Sequence, residues 1–296
     1  MNDAVLITGV NGFIGRHAAR AFLEAGYRVL GTDLQPDCGI PEVEYSPCDL
    51  TDETRTAEVL GGLSCAWVVH LAAVLAMNSA NTLRINTAAA YHGLKLARHL
   101  ACRGFIHLSS VPVIGTPPAE GRITESLPVR PGTAYHVSKF AAEQLVMLPE
   151  FSGMLRYNLR IPSPIGPGMP RSFLRVMLER AMKGEALTVY GTGSRVQDYL
   201  DARDIAGALT AVVRREPEAG LYLLGGEAVS NLEAARLCGE IAGGGSEIVM
   251  SGTPDPADGE RWLVDWGKAR AAFGYAPKYG LRRSLEDLAE EMGCAF

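Results

Sequence analysis

Tyr135 and Lys139 have the spacing of an acid/base pair, because they lie four residues apart in a stretch predicted to be helical, residues 134–148. Side chains four apart share one helix face, so the ammonium group is expected to lower the pKa of the phenol from about 10 toward neutrality. Such a phenol could take the proton of a carbinol hydroxyl while a hydride leaves the same carbon. The same spacing is also common on surface helices, so the pair needs support from other motifs.

Two serine hydroxyls follow the predicted strand of residues 105–109, at Ser109 and Ser110. In open α/β sheets, ligands bind at the carboxyl ends of the strands. A hydroxyl at this end can donate a hydrogen bond to the reacting oxygen and orient it against Tyr135. We therefore expect both serines near the reaction centre.

A glycine-rich turn joins the first predicted strand, residues 4–8, to the first predicted helix, residues 13–25; it reads Gly9-Val10-Asn11-Gly12-Phe13-Ile14-Gly15. Glycines let the backbone approach a pyrophosphate, which the free N–H groups and dipole of the helix N-terminus stabilise. The middle glycine lies one position later than in the G-x-G-x-x-G pattern, so the turn is a variant of that motif. It predicts a dinucleotide site.

Asp33 ends the next predicted strand, residues 28–33, and lies 18 residues after Gly15. A carboxylate there can accept hydrogen bonds from both ribose hydroxyls and repels a 2′-phosphate, so NAD is favoured over NADP; Arg16 slightly weakens this preference. Asp49 and Leu50 could hold the adenine, with Asp49 accepting from its amino group. Asp49 could equally be a helix N-terminal carboxylate near Thr51.

The order of predicted elements indicates an α/β fold with a parallel sheet and helices on both faces. Strands 4–8, 28–33, 67–70, 105–109 and 154–161 alternate with helices 13–25, 51–60, 82–101 and 134–148. This is a Rossmann-type doubly wound sheet, expected over residues 1–165.

A Pro/Gly-rich loop, residues 162–170, looks like a boundary. Beyond it we expect a smaller mixed lobe with helices 172–183, 202–214, 230–241 and 284–292 and strands 187–190, 221–224 and 247–250. Ser230 and Glu233 have capping-box spacing.

These motifs together resemble the extended short-chain dehydrogenase/reductases, in particular the 4-epimerase-type enzymes of the NAD-dependent epimerase/dehydratase branch. The resemblance rests on Thr8–Gly15 with the turn above, on Thr124-Glu125 and on the following segments: His70-Leu71-Ala72-Ala73, Asn86, Ser109-Ser110, Tyr135-His136-Val137-Ser138-Lys139, Tyr190-Gly191-Thr192-Gly193-Ser194 with Asp198-Tyr199, and Asp265 through Pro277.

The resemblance implies Tyr135 as acid/base, Lys139 bonded to the nicotinamide ribose, and Ser110 orienting the substrate. Catalytic residues are thus expected at Ser110, Tyr135 and Lys139. Expected cofactor-binding residues are Gly9, Asn11, Gly12, Phe13, Ile14, Gly15, Asp33, Asp49, Leu50, Leu71, Ala72, Ala73, Asn86, Ser109, Tyr135, Lys139 and Pro162. His70 is expected to pack against the sheet rather than to act in catalysis.

Family organisation supplies two further expectations. Residues 197–224 should return to the sheet domain, which leaves residues 166–196 and 225–296 for the substrate lobe. Helices 82–101 and 134–148 should form a homodimer interface.

Several positions depart from the family pattern and reduce the number of reactions that the chain could catalyse. The 4,6-dehydratases carry an Asp-Glu pair where this chain has Val111 and Pro112, which cannot transfer protons, and the Glu of the related decarboxylases is also missing. Epimerisation at a carbinol, or net oxidation or reduction, therefore remains.

Substrate binding is expected at Ser110, Val111, Ser163, Arg195 and Gln197. Ser163 and Gln197 replace the family's usual Asn and Arg, and Asp255 lies near the position of a second phosphate-binding Arg. Arg195 or Arg261 could substitute, since a guanidinium pairs well with phosphate, although both could be solvated surface residues. A smaller hydroxylated or keto substrate therefore competes with a nucleotide-diphosphate sugar.

Composition excludes several classes of protein. The 296 residues carry a formal net charge of −5, which does not suit a general nucleic-acid binder. The longest nearly apolar run, residues 66–77, is well short of the ~20 residues of a membrane helix. We expect no signal peptide, no metal, and six scattered, reduced cysteines in a cytoplasmic protein (Cys38, Cys48, Cys65, Cys102, Cys238 and Cys294).

Three hypotheses follow. The first is an NAD-dependent sugar-nucleotide epimerase, with reaction at C4. The second is an NAD(P)-dependent dehydrogenase or ketoreductase of the same fold. The third, with less support, is a non-catalytic NAD-sensing regulator, which would have no need of Tyr135 and Lys139.

Overall fold

A computed structural model describes residues 3–293, so Met1, Asn2 and the expectation for Cys294 lie outside the described residues. The first half alternates strands and helices in the order β1 (Ala4–Thr8), α1 (Phe13–Glu24), β2 (Arg28–Thr32), β3 (Glu44–Tyr45), α2 (Glu53–Leu60), β4 (Trp67–His70), α3 (Ala80–His99), β5 (Gly104–Ser110), α4 (Ala134–Val146) and β6 (Leu155–Ile161). The second half contains β7 (Ser163–Ile165), α5 (Phe173–Met182), β8 (Leu187–Val189), β9 (Val196–Asp201), α6 (Ala202–Arg215), β10 (Gly220–Leu223), β11 (Glu227–Ser230), α7 (Asn231–Ile241), β12 (Ile248–Met250), α8 (Gly267–Phe273) and α9 (Leu281–Gly293).

Seven strands form a parallel sheet in the order β10-β6-β5-β4-β1-β2-β3. The central strand β1 is buried along its whole length, as an apolar run in a parallel sheet should be. Val5 and Ile7 pack with α1 and α6 on one face, whereas Leu6 packs with α3 on the other. The alternation covers both faces with helices and confirms the Rossmann-type class.

The remaining strands form two small sheets in a mixed lobe. One has the order β11-β9-β7 and the other pairs β12 with β8. Leu178, Leu187 and Leu285 belong to a separate apolar cluster under these sheets. The predicted capping box at the start of α7 is present, since Ser230 and Glu233 each satisfy the other's backbone N–H.

Some predicted element boundaries are wrong. Helix α2 begins at Glu53 and is capped by Asp52, whose carboxylate accepts from the Arg55 N–H at 2.9 Å, so the predicted helix 51–60 starts two residues too early. The loop of residues 162–170 contains strand β7, which pairs with β9. Of residues 197–224, α6 packs on α1 and β10 pairs with β6, but β9 lies outside the seven-stranded sheet. The division of the chain into domains stays a prediction.

Within residues 3–293, no helix combines the length and the apolar composition that crossing a membrane requires.

Candidate active site

The glycine turn forms a tight cradle between β1 and α1. Gly9 has a φ of 71°, and a Cβ there would lie 2.7 Å from the backbone N of Ala72. A Cβ at Gly15 would lie 2.1 Å from the carbonyl oxygen of Gly9. The N–H groups of the first turn of α1, including those of Phe13 and Ile14, have no helical partner, and Gly12 at the N-cap has no side chain to accept from them. Positions 9 and 15 must therefore be glycine, because any side chain there would collide with the neighbouring backbone of this turn.

A cleft opens at the carboxyl ends of β1, β2 and β4. It is lined by ten of the predicted cofactor-binding residues: Gly9, Asn11, Gly12, Asp33, Asp49, Leu50, Leu71, Ala72, Ala73 and Asn86. The cleft walls also include residues that sequence reasoning missed, namely Thr32, Leu34, Gln35, Cys48, Thr51, Val74, Ile85 and Ala89. Ile85 and Ala89 flank Asn86 on one face of α3, so helical spacing was a usable signal for them.

Carboxylates lie at two points of this cleft. Asp33 accepts hydrogen bonds from the N–H groups of Asn11, at 3.1 Å, and Leu34, at 2.7 Å. Asp49 accepts from the Thr51 N–H at 2.8 Å while it also lines the cleft. Asp49 therefore stabilises the turn before α2 and also lines the cleft, and its contact with an adenine stays a prediction.

Asn86 connects the cleft to the helix that carries Tyr135. Its amide pairs with both backbone groups of Val74, at 2.7 and 3.0 Å, and donates to Ser138 Oγ at 2.9 Å. Ser138 Oγ donates in turn to the Tyr135 carbonyl at 2.6 Å, and the Tyr135 N–H donates to the Met77 carbonyl. The start of α4 is thus held by hydrogen bonds against the loop that follows β4.

Tyr135 does not have the lowered pKa that the sequence predicts. Burial raises the pKa of its phenol to about 12, because a phenolate would lose its hydration. Lys139 Nζ lies 5.9 Å from the Tyr135 ring centroid and donates to the Leu108 carbonyl at 2.8 Å. Burial lowers the pKa of Lys139 to about 8, although the charge of Glu143 opposes that shift. The two side chains are adjacent as predicted, but desolvation determines the direction of both pKa shifts.

The two serines on β5 have different surroundings. Ser109 is buried, and its hydroxyl donates to Glu143 Oε1 at 2.5 Å, so the structure directs it into the protein instead of into the cleft. Ser110 is half-buried and pairs in register with Ile161, next to Pro162 and Ser163. His70 is buried against the sheet, as expected, with Nδ1 2.9 Å from Thr8 Oγ1.

A second cavity lies beside β7 and β9. It is lined by Ser163, Pro164, Ile165, Met169, Ser172, Phe173, Leu174, Arg195, Gln197, Tyr199 and Asn231. Arg195 is the one charged side chain among the described residues on its wall. When the Gln197 amide oxygen faces Arg195, it accepts from Nε at 3.1 Å and from Nη2 at 3.2 Å. Three of the predicted substrate residues, Ser163, Arg195 and Gln197, therefore meet here.

Several predicted residues lie elsewhere. Val111 is fully buried in an apolar cluster with Ile114 and Trp262, so its side chain faces neither cavity. Arg261 is exposed and Pro162 is buried between β6 and β7; the described walls of both cavities exclude them. Phe13, Ile14, Gly15, Tyr135 and Lys139 likewise lie outside the lining of the first cleft.

Comparison with known families agrees with this geometry. The model of the NAD dependent epimerase/dehydratase family matches residues 5–225. This chain belongs to that family. It is therefore an enzyme of the extended short-chain dehydrogenase/reductase type, and NAD is its cofactor.

Relatives in the family have more than one activity. A probable dTDP-glucose 4,6-dehydratase of Sinorhizobium fredii is 24% identical, over 95% of this chain and 91% of the relative. UDP-glucose 4-epimerase 4 of Oryza sativa subsp. japonica is 26% identical, over 96% of this chain and 88% of the relative. The structure of Thermus thermophilus UDP-glucose 4-epimerase in complex with NAD has a TM-score of 0.86 and 25% identity, over 99% of this chain and 100% of the other.

The cleft suits NAD on its own geometry. A Cβ at Gly9 or Gly15 would collide with neighbouring backbone, so the glycines allow the tight turn that presents the free N–H groups of α1 to a pyrophosphate. Asp33 lines the wall with a carboxylate that can accept from ribose hydroxyls. Within residues 3–293, no group of three or more His, Cys, Asp or Glu side chains could hold a metal ion.

Proposed function

We propose that this protein is a sugar-nucleotide epimerase that inverts a carbinol at C4, with Tyr135 as acid/base. The observation that carries the proposal is the pair of residues Val111 and Pro112. At the positions where the resemblance puts the Asp-Glu pair of the dehydratases, the first side chain is fully buried and apolar, and neither side chain carries an ionisable group. Elimination of water needs such a group to move a proton, whereas inversion at a carbinol needs only one acid/base.

Each catalytic residue then has one task. Ser110, beside Ile161 in the sheet, would donate to the substrate oxygen and orient it. Tyr135 Oη would accept the hydroxyl proton and later return it. Lys139 keeps its proton at neutral pH, since its pKa is about 8, and its charge, 5.9 Å from the Tyr135 ring centroid, favours the phenolate. Bound in the first cleft, NAD would supply the reversible hydride acceptor for the carbinol carbon and a positive charge on its nicotinamide ring. Tyr135, whose pKa is about 12, needs this additional positive charge to act as a base.

The predicted cofactor residues would bind NAD in the first cleft. The backbone around Gly9 and Gly12 would hold the pyrophosphate, and Asp33 the adenosine ribose. Leu71, Ala72 and Ala73 form the opposite wall. Ser109 is not assigned a direct contact, because its hydroxyl is bonded to Glu143.

The second cavity would hold the part of the substrate remote from the reaction. Gln197 fixes one edge of the Arg195 guanidinium, which leaves the other N–H groups to bind an anion in a planar, bidentate arrangement. Phe173 and Tyr199 provide aromatic surface on the same wall. This combination suits a nucleotide with a phosphate group.

One observation favours a second function. With Gln197 in place of the usual Arg, a single guanidinium faces this cavity in the described part of the chain. A diphosphate presents two charges, so a smaller hydroxy or keto substrate with one anionic group would also fit. The second candidate is accordingly a dehydrogenase or ketoreductase that exchanges its cofactor in each cycle.

A substrate panel separates these functions. The purified protein, supplied with NAD, is incubated with UDP- and dTDP-hexoses, and products are identified by NMR. We expect C4 epimers with no accumulation of NADH. Stoichiometric NADH release would favour the dehydrogenase, a 4-keto-6-deoxy product would indicate a dehydratase, and no conversion of any hexose would refute the epimerase.

We also propose that the protein forms a homodimer through α3 and α4. The groove between these helices is predominantly apolar and includes Leu83, Ala88, Tyr91, Ala141 and Leu145. Leu75, Met77, Leu83 and Met147 are exposed on or beside the two helices, and a second copy would bury such surface. Sedimentation at micromolar concentration should show a dimer; a monomer would contradict the proposal.

A further inference from the structure

Two buried cysteines meet at the amino-terminal edge of the central sheet. Cys65 precedes β4 and Cys102 precedes β5, and their sulfur atoms lie 3.6 Å apart. Both side chains belong to the apolar cluster between the sheet and α3, where they are 9% and 6% exposed. All five described cysteines are free thiols in this structure, including these two.

The backbone positions of the pair fit a disulfide. Trp67 and Gly104 are partners in the parallel ladder, so Cys65 and Cys102, each two residues earlier, continue the same register. The Ala66 carbonyl accepts from the N–H groups of Arg103 and Gly104, at 2.7 and 3.3 Å, which keeps the two chains adjacent there. Neighbouring strands lie about 4.8 Å apart, and disulfides need Cα–Cα distances of roughly 4.4–6.8 Å. Rotation of the side chains can therefore close the remaining gap.

The two thiols differ in reactivity. Cys102 Sγ is within donor distance of Cys65 Sγ and, at 3.4 Å, of the Cys65 carbonyl oxygen. A hydrogen bond from Cys102 lowers the pKa of the Cys65 thiol, and the positive charge of Arg28 acts in the same direction. The same hydrogen bond, followed by burial, raises the pKa of Cys102. We therefore assign the first reaction with an oxidant to Cys65, and Cys102 Sγ, 3.6 Å away, is placed to react with it next.

We propose that Cys65 and Cys102 are a modification site at which a peroxide oxidant forms a reversible intramolecular disulfide. The Cys65 thiolate attacks one peroxide oxygen, the O–O bond breaks, and Cys65 becomes a sulfenic acid while the other oxygen leaves as water after taking a proton. Cys102 sulfur then attacks the Cys65 sulfur, the S–O bond breaks, and the departing hydroxide takes the Cys102 proton to form a second water. Two thiols are oxidised by two electrons in total, and one hydrogen peroxide is reduced to two waters.

The cross-link should stabilise the fold and leave the cleft intact. It closes a loop that includes the whole of α3, so it restricts the unfolded chain. By the chain-entropy relation for a loop of this length, the melting temperature should rise on the order of 5 °C. The functional residues after β4 and in β5 lie at the opposite strand ends, about 20 Å away at roughly 3.3 Å per residue. NAD affinity should therefore change by less than about twofold.

Peroxide titration of the full-length protein tests the proposal. Protein reduced and then treated with hydrogen peroxide should lose two hydrogen masses and give a Cys65–Cys102 linked peptide under non-reducing digestion. Its melting temperature should rise, and dithiothreitol should reverse both changes. Each variant is compared with its own reduced form. Cys65→Ala and Cys102→Ala should abolish the peroxide-dependent rise in melting temperature. The control variant Cys238→Ala, which changes a fully buried cysteine outside the pair, should retain it.

Three results would overturn the proposal. They are sulfinic acid at Cys65 without a cross-link, a linked peptide between other cysteines only, and a peroxide-dependent shift that persists in Cys65→Ala. The linked peptide and the melting temperature are measured without substrate, so a failed epimerase assay would not bear on the disulfide proposal.

Discussion

Glu143→Gln tests the buried ion pair that holds α4 against the sheet. The Glu143 carboxylate accepts from Arg160 Nε at 2.8 Å, from Arg160 Nη2 at 2.7 Å and from the Ser109 hydroxyl. The side chains of Arg160 and Glu143 are 3% and 4% exposed, so water cannot solvate the guanidinium when the carboxylate is neutralised. In the described part of the chain, Arg160 Nη1 already has no partner. The substitution therefore leaves a buried, uncompensated charge.

The expected effect is large. Removing one partner of a buried ion pair costs about 3–5 kcal/mol. At roughly 2–4 °C per kcal/mol, the melting temperature should fall by about 6–20 °C. Urea unfolding and calorimetry measure the two quantities. A Glu143→Leu/Arg160→Met double variant should recover much of the loss, because it removes both charges together.

A surface pair provides the matched control. Glu240 pairs with Arg282, and these side chains are 60% and 55% exposed, so Glu240→Gln should change the unfolding free energy by less than about 1 kcal/mol. If Glu143→Gln costs no more than Glu240→Gln, the ion pair does not hold α4 and our reasoning is wrong. The charge of Glu143 also raises the pKa of Lys139, so the variant should shift the alkaline limb of activity to lower pH.

Three further predictions concern the cofactor cleft and its surroundings. Lys139→Met removes a buried ammonium. Burial lowers the pKa of this group from 10.5 to about 8, so the folded state releases the proton at lower pH than the unfolded state does. The stability of the wild-type protein should therefore rise with pH between about 8 and 10.5. The variant should thus be more stable at pH 7, by at most about 3 kcal/mol, and a stability difference that does not shrink toward pH 10.5 would contradict this. Gly15→Ala places a Cβ 2.1 Å from the Gly9 carbonyl oxygen, so it should destabilise the fold by about 1–3 kcal/mol and weaken NAD binding measured by calorimetry. The control is Gly207→Ala, which places its Cβ in open space on α6 and should stabilise the fold by roughly 0.5–1 kcal/mol. Asp33→Asn should lower the preference for NAD over NADP by about tenfold or more, a loss of about 1.4 kcal/mol of discrimination, and an unchanged ratio of the two dissociation constants would refute the role of Asp33.

The central sheet is predictable from the sequence because its strands are buried on both faces and alternate with helices of clear periodicity. The strands of the smaller lobe are not. Strand β7 has three residues with Pro164 at its centre, and β9 mixes apolar and charged residues. Their pairing joins Ser163 to Tyr199, 36 residues apart, so local sequence carries little of the signal.

The cleft follows from local motifs, whereas its electrostatics depend on tertiary burial. Six of the ten predicted cleft residues could be named because glycine spacing and strand ends place them, whereas Leu71, Ala72, Ala73 and Asn86 were expected only from the family resemblance. The direction of the Tyr135 pKa could not, since helical spacing gives the distance to Lys139 but not the loss of solvent around the phenol. The bond from Ser109 to Glu143 joins residues 34 positions apart and escaped prediction for the same reason.

The most direct test of the central claim follows the hydrogen at C4 of the substrate. A UDP-hexose deuterated at C4 is incubated with the protein and NAD, and NMR determines the configuration at C4 and the label there. We predict the C4 epimer with deuterium retained on the same carbon and no accumulated NADH. Loss of deuterium to solvent, or an oxidised product with an equivalent of reduced cofactor, would contradict an epimerase that uses Tyr135 as its acid/base.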